Sequence, residues 1–278
     1  MQRHWNRMET EAQMKFGTER GDTRMRHRGL WGWRVKALVL VMAGGAAAAE
    51  AQDGAKVLSA AVSADYAGKY VWRGQPVNGE SVMQTNVSGS AYGFTGSIWS
   101  NHDLTDDRRG EFSEVDYALD YTRSLGEKVA VSAGVIHYLF PNTGFSPTTE
   151  IYGGLSFDVP LAPSIKWYRD VNEVDGSYVQ IGAGHSFEGV AEWSSGCSMG
   201  VSLGASVGIG GAGYNAGYFG IGETRMNDFT MRIGVPLDLK HVTLTPSFNF
   251  STMMDDGIGD GMTDRSNAWF GIGISKSF

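Results

Sequence analysis

From residue 57 onward, apolar and polar side chains alternate with a period of two, the repeat of a strand with two unlike faces. Near the chain's end, Phe270, Ile272, Ile274 and Phe278 fall on one face, and Gly271, Gly273, Ser275 and Ser277 on the other. Val242, Leu244, Phe248 and Phe250 alternate in the same way with Thr243, Thr245, Ser247 and Asn249. Val201, Leu203, Ala205, Val207 and Ile209 alternate with Gly200, Ser202, Gly204, Ser206 and Gly208. The pattern predicts about twelve strands, near 57–73, 82–88, 94–102, 111–125, 128–140, 148–158, 164–170, 175–187, 199–209, 225–236, 240–250 and 267–278, the even number of a single-chain bacterial barrel. In the third segment Ile98 and Trp99 are neighbours, so the two cannot both occupy the apolar face.

A water-soluble sandwich also alternates, with its apolar face turned inward. Two features favour a bilayer instead. Many segments run to roughly 10–13 residues, where globular strands have a mode of about 5–6 and tilted membrane strands need about 9–11. The polar face is very often Gly or Ser, which suits a narrow enclosed lumen. The connections alternate too. Those at 89–93, 126–127, 160–163 and 237–239 are short; those at 74–81, 103–110, 141–147, 210–224 and 251–266 are longer and polar. Barrels of the outer membrane place short turns on the periplasmic side and long loops outside. The connection at 188–198 is long for a turn and that at 171–174 short for a loop. Tyr66, Tyr70, Trp72, Phe94, Tyr117, Tyr121, Phe157, Trp167, Phe187 and Phe250 lie near predicted strand ends, where interfacial girdles would place them. The expected fold is all-β: one closed, up-and-down, antiparallel transmembrane β-barrel over 52–278.

The amino terminus reads differently. Leu38 to Ala49 is an apolar run of about a dozen residues, too short to span a bilayer comfortably. Arg26, Arg28, Arg34 and Lys36 precede it, and Ala49-Glu50-Ala51 follows with small residues where a signal peptidase reads. Residues 25–51 are therefore expected to be a secretory signal peptide cut after Ala51. Residues 1–24 form a polar extension upstream of a conventional signal start at Met25.

Composition supports this division. Charged residues make up 19% of the chain, below the roughly 25% usual for soluble domains, and Gly occurs 39 times. Nine Lys/Arg and five Asp/Glu lie in 1–51, which leaves fourteen basic against twenty-five acidic residues and a net charge of −11 beyond it. So acidic a chain argues against nucleic-acid binding. A single cysteine, Cys197, excludes an intrachain disulfide and a cysteine metal cluster.

Two stretches resemble known proteins. The closing strand with its terminal Phe278 resembles the carboxy-terminal signal by which the barrel-assembly machinery recognises outer-membrane proteins. Ala64-Asp65-Tyr66-Ala67-Gly68-Lys69-Tyr70-Val71-Trp72-Arg73-Gly74, with the later Glu150-Ile151-Tyr152-Gly153-Gly154-Leu155, is similar to the TorF-type porin family, also written Gcw_chp. That resemblance implies an outer-membrane barrel and no particular solute. Outer-membrane lipids and lipopolysaccharide are the partners such a barrel would meet.

If the apolar faces meet lipid, the lumen receives Asp65, Lys69, Arg73, Glu114, Asp116, Asp120, Glu150, Asp158, Lys166, Asp170, Asp228 and Arg232. Eight carboxylates against four cations predict a polar lumen with a weak preference for cations. The competing expectation is a plugged structural or surface-interaction barrel whose acids and bases simply pair. A lipid-modifying enzyme would need a Ser/His/acid constellation. His185-Ser186 is the one tight pairing, and neighbours on a strand point to opposite faces. The other histidines beyond the signal are His102, His137 and His241; neither a Gly-x-Ser-x-Gly elbow nor a helical metal-binding His pair is present. The acidic run 253–264 lacks the spacing and closing Glu of an EF-hand. The Gly-rich run 208–222 lacks a P-loop ending and reads as a mobile external loop folding over the barrel mouth. No cofactor is expected.

Overall fold

The computed structural model describes residues 58–105, 109–194 and 196–278. The expected extension 1–24, signal peptide 25–51 and cleavage after Ala51 lie outside the described residues. Numbered in chain order, the strands begin with β1 (Ser59–Ala67), β2 (Tyr70–Trp72), β3 (Gln75–Asn78), β4 (Val82–Ala91) and β5 (Phe94–Asp103). They continue with β6 (Phe112–Ser124), β7 (Val129–Leu139), β8 (Thr148–Phe157), β9 (Ser164–Asp170), β10 (Ser177–Ser194) and β11 (Cys197–Gly210). After helix α1 (Ala212–Phe219) come β12 (Arg225–Gly234), β13 (Leu237–Leu239), β14 (Thr243–Met253), the single turn α2 (Asp256–Gly259) and β15 (Ser266–Ser277).

Among the described residues, twelve of these strands form the wall: β1, β4 to β12, β14 and β15, each antiparallel to its neighbours. Closure is made by β1, which pairs on one edge with β4 (Ser59 opposite Ser90) and on the other with β15 (Ala61 opposite Ser277). The pairing of β10 with β11, Tyr178 opposite Gly210, completes the ring. This is the closed up-and-down antiparallel barrel that the alternation predicts. Closure removes the sheet edges on which unsatisfied backbone groups would otherwise meet hydrocarbon.

The faces are inverted relative to a water-soluble protein. Ile98, Tyr117, Leu119, Ile151, Leu155, Trp167, Leu203, Phe270 and Ile272 are exposed on the outside. Asn101, Glu114, Asp116, Ser202, Asp228, Thr245 and Asn267 are buried on the inside. Apolar surface on this scale is stable against acyl chains, not against water. The chain is a transmembrane β-barrel. In β5 the ambiguity resolves by parity: Ile98 is 50% exposed and Trp99, at 4%, turns into the lumen.

Three expectations need correction. The first strand ends at Ala67 rather than running to 73; after Gly68 the chain turns inward and makes the short hairpin β2–β3, in a sheet of its own. Tyr70 and Trp72 therefore belong to no interfacial girdle, because both are buried inside the barrel. The expected connection 188–198 is largely strand: β10 and β11 continue as a paired ribbon to Ser194 opposite Cys197, with a bulge between Phe187 and Ala191. Along β10, β9 pairs only with Ser177 to Gly182, so the ribbon runs past the neighbouring strand. The run 208–222 is not one loop either. Its first three residues finish β11, and 212–219 form α1.

Candidate functional site: the occupied lumen

The short turns and the chain's last residue lie at one end of the barrel, and the longer connections at the other. The two halves of the lumen differ. Toward the short-turn end most inner positions are small, among them Ser97, Ser132, Gly182, Gly184, Ser202, Gly204, Ser247 and Gly273, with Arg232 opposite Gly204 and Lys166 opposite Gly154 as large exceptions. Toward the long-loop end they are large, charged or aromatic, and two elements that are not part of the wall fold in among them.

The first is β2–β3. Its tip is Arg73-Gly74, and only glycine suits the second position. Gly74 has φ +80°, and a Cβ there would meet the Met253 sulfur and lie 2.6 Å from Cβ of Asp228. The hairpin thus spans from β1 to the wall at β12 and β14. Arg73 points elsewhere, to β8, where its two terminal nitrogens donate to the two oxygens of Glu150 at 2.7 and 2.8 Å. Its guanidinium also lies over the rings of Trp72, Tyr168 and Tyr178, at 4.4, 4.6 and 4.3 Å from their centroids. Arg73 stands on this inner turn and not on a spanning strand. Burial alone would lower its pKa; Glu150, helped by Tyr214 and Tyr138, outweighs burial and holds it above the ordinary value. The hairpin makes further hydrogen bonds around the wall. Tyr70 Oη donates to Glu114 at 3.1 Å, Asn78 Nδ2 to Asp103 at 3.1 Å, and Lys69 Nζ to Asn267 at 3.0 Å.

The second inserted element is α1. Its first turn is pinned by two buried asparagines: Asn227 Nδ2 donates to Asn215 Oδ1 at 2.7 Å, and Asn215 Nδ2 donates to the Gly210 carbonyl at 2.9 Å. Tyr214 and Tyr218, four residues apart on one helical face, then pack on Trp72 with centroid separations of 6.3 and 5.4 Å. Tyr70, Trp72, Val77, Val82, Trp99, Tyr178 and Tyr214 form one buried cluster within the barrel. At this level the lumen holds a packed core.

The twelve residues expected in the lumen fall into three groups. Arg73, Glu114, Asp116, Asp120, Glu150, Asp170 and Asp228 are buried; Asp65, Lys69, Lys166 and Arg232 are half-buried; Asp158 is exposed, just past the end of β8. The structure brings Arg73 and Glu150 together as an ion pair. It links Asp228 to Tyr178, whose hydroxyl donates at 2.7 Å, and Asp120 to Tyr152, whose hydroxyl donates at 2.6 Å. Lys166 extends its ammonium over Tyr152, 5.0 Å from the ring centroid. Asp170 accepts from Thr148 Oγ1 at 2.8 Å, and Asp65 from Ser63 Oγ at 3.2 Å. Tyr152 can cross β7 because Gly134 stands beneath it: a Cβ there would sit 2.5 Å from the phenol carbon.

Several contributors lie outside that expected set. Tyrosines 138, 168, 178, 214 and 218 and tryptophans 72 and 99 shape the lumen as much as the charges do. One signal was available: aromatic residues at 70, 72, 214, 218 and 219 stand in segments otherwise rich in Gly and polar residues, where an external loop has no use for them. Among the described residues, the histidines do not form a constellation with one another. His137 is exposed and shares a 3.0 Å hydrogen bond with Thr149, His185 is exposed beside Phe187, His102 stacks near Phe112, and His241 is exposed.

The fold and its interior define a transmembrane barrel with an occupied lumen. No family model matches the chain, and no curated protein matches it either. Among solved structures, the NanC porin is 14% identical over 78% of this chain and 98% of its own, with a TM-score of 0.47. OmpF of Salmonella typhi, solved with daunomycin, is 8% identical over 80% of this chain and 97% of its own, with a TM-score of 0.36. OprB of Pseudomonas putida is 10% identical over 84% and 97%, with a TM-score of 0.34. Likenesses this distant carry no argument about solute or assembly.

Proposed function

We propose that the protein resides in a bacterial outer membrane and acts as a porin-type passive channel for small solutes, with a weak preference for cations, and not as an enzyme. What carries the reading is the inverted wall: apolar outside, and inside a polar lumen whose carboxylates outnumber its cations. Such a ring of acids attracts cations and repels anions at close range. The signal-peptide pattern and the resemblance to TorF-type porins point the same way. Purified protein in planar bilayers should give discrete conductance steps, and a KCl gradient should give a reversal potential of cation-selective sign. Absence of steps from folded protein would overturn the reading.

One observation favours a second reading. The buried aromatic cluster between hairpin, helix and wall is packed like a core, as a plugged structural barrel would have it. Liposome swelling separates the two: a channel admits small sugars and excludes large ones, and a plugged barrel admits neither.

A further inference from the structure

The inserted hairpin is tied to the wall unevenly. Its tip carries the bidentate pair of Arg73 with Glu150, side chains only 6% and 3% exposed. The rest of the hairpin is held by single hydrogen bonds and by the packing of Tyr70, Trp72 and Val77 in the buried cluster with Val82, Trp99 and Tyr178. Both roots are glycines: Gly68, where β1 ends, and Gly79, around which a Cβ would find nothing within 4 Å. A segment held firmly at its tip, with glycine at each root, can move as a unit. Above it, α1 rests on Trp72 through Tyr214 and Tyr218, and Gln75 Nε2 donates to the Tyr214 hydroxyl at 3.4 Å.

We infer that β2–β3 is the gate of the channel, latched by Arg73 on Glu150 and covered by α1, and that its withdrawal leaves a cation-passing lumen. The inference rests on the channel reading above. Arg73 is the cation that the hairpin tip brings into the passage. When the tip leaves, its positive charge goes with it, while Glu114, Glu150, Asp170 and Asp228 stay on the wall strands. The state that conducts is thereby more acidic than the state that is shut, so opening and cation preference arise from one movement.

The test uses the purified chain in planar bilayers. Glu150→Gln removes the latch's negative charge and keeps its shape; it should raise the open fraction at least tenfold. Gly74→Ala acts at the tip without changing charge, by crowding Asp228 and Met253, and should raise it too. A third variant closes the gate instead. With Cys197→Ser, the pair Val174→Cys and Gly217→Cys can join α1 to the loop after β9, because a Cβ at 217 lies 3.5 Å from that of Val174, within disulfide range. Oxidised, this variant should lose its openings; reduced, it should recover them. Heat-modifiable migration on gels verifies that each barrel is folded. Wild-type gating in both Glu150→Gln and Gly74→Ala, or equal conduction by the oxidised and reduced pair, overturns the latch. Anion selectivity in the opened variants overturns the cation part. Replacement of 69–80 by a Gly-Ser linker separates this inference from the reading beneath it. If that folded barrel conducts while Glu150→Gln behaves as wild type, only the gate fails; if it never conducts, the channel reading fails.

Discussion

Arg73 and Glu150 illustrate how costly a buried charge is unless a partner meets it fully. Each ion loses its hydration, and the bidentate geometry with stacked rings offsets that loss. Glu150→Ala should therefore cost more than an average deletion, about 3–5 kcal/mol, because it strands the guanidinium. Denaturant unfolding in detergent, followed by the gel shift of the folded barrel, measures it; a loss under about 1 kcal/mol would mean that water reaches the pair. Tyr178 with Asp228 is a milder case. Tyr178→Phe keeps the ring among Tyr168, Tyr214 and Arg73 but removes the hydroxyl that donates to a buried carboxylate. The expected loss in the same unfolding measurement is about 1–3 kcal/mol, the range for a buried polar group left unsatisfied.

At the scale of elements, parity decides what a substitution meets. On β6, Leu119 faces outward and Asp120 inward, one residue apart. Leu119→Arg should destabilise the inserted barrel by about 2–4 kcal/mol if it lies near the bilayer midplane, whereas Thr122→Arg, on the inner face, should alter conductance more than stability. Equal effects at the two sites would contradict the assignment of faces. The ribbon of β10 and β11 beyond Gly182 gives a different expectation. Phe187, Val190 and Trp193 are exposed there, and the residues from Glu188 to Ser194 contribute none of the side chains that fill the lumen. Shortening it to a tight turn after Ser186 should leave single-channel conductance unchanged.

These elements also mark where sequence reading succeeds and where it stops. The wall was legible because each strand meets two uniform media, so one rule of alternation holds along its whole length. β14 follows it from Leu244 to Ser251, and β15 from Phe270 to Ser275. The ribbon was misread because from Phe187 to Ser194 every position of β10 is exposed, and Glu188 to Ser194 keep no contrast between faces. The inner hairpin was misread for the opposite reason. Tyr70, Val71 and Trp72 continue the alternation of β1, and nothing local distinguishes a strand in the wall from one inside it. Of the candidate site, the acids and bases on the strands follow from parity alone. The pairing of Arg73 with Glu150, seventy-seven residues apart, depends on how the chain turns at Gly68 and Gly74.

For the molecule as a whole, the account depends on which solvent each face meets. The outer belt of Ile, Leu, Phe and Tyr is stable only if hydrocarbon covers it, and the carboxylates of the lumen only if protein and water surround them. The tightest measurement is a spin-label scan of β14 in the reconstituted barrel, one cysteine at a time from 244 to 251 with Cys197 replaced by Ser. Labels at 244, 246, 248 and 250 should be relaxed by oxygen dissolved in the bilayer, and labels at 245, 247, 249 and 251 should be shielded from it. A flat profile, or one of opposite phase, would contradict the barrel's placement in the membrane, and with it the channel.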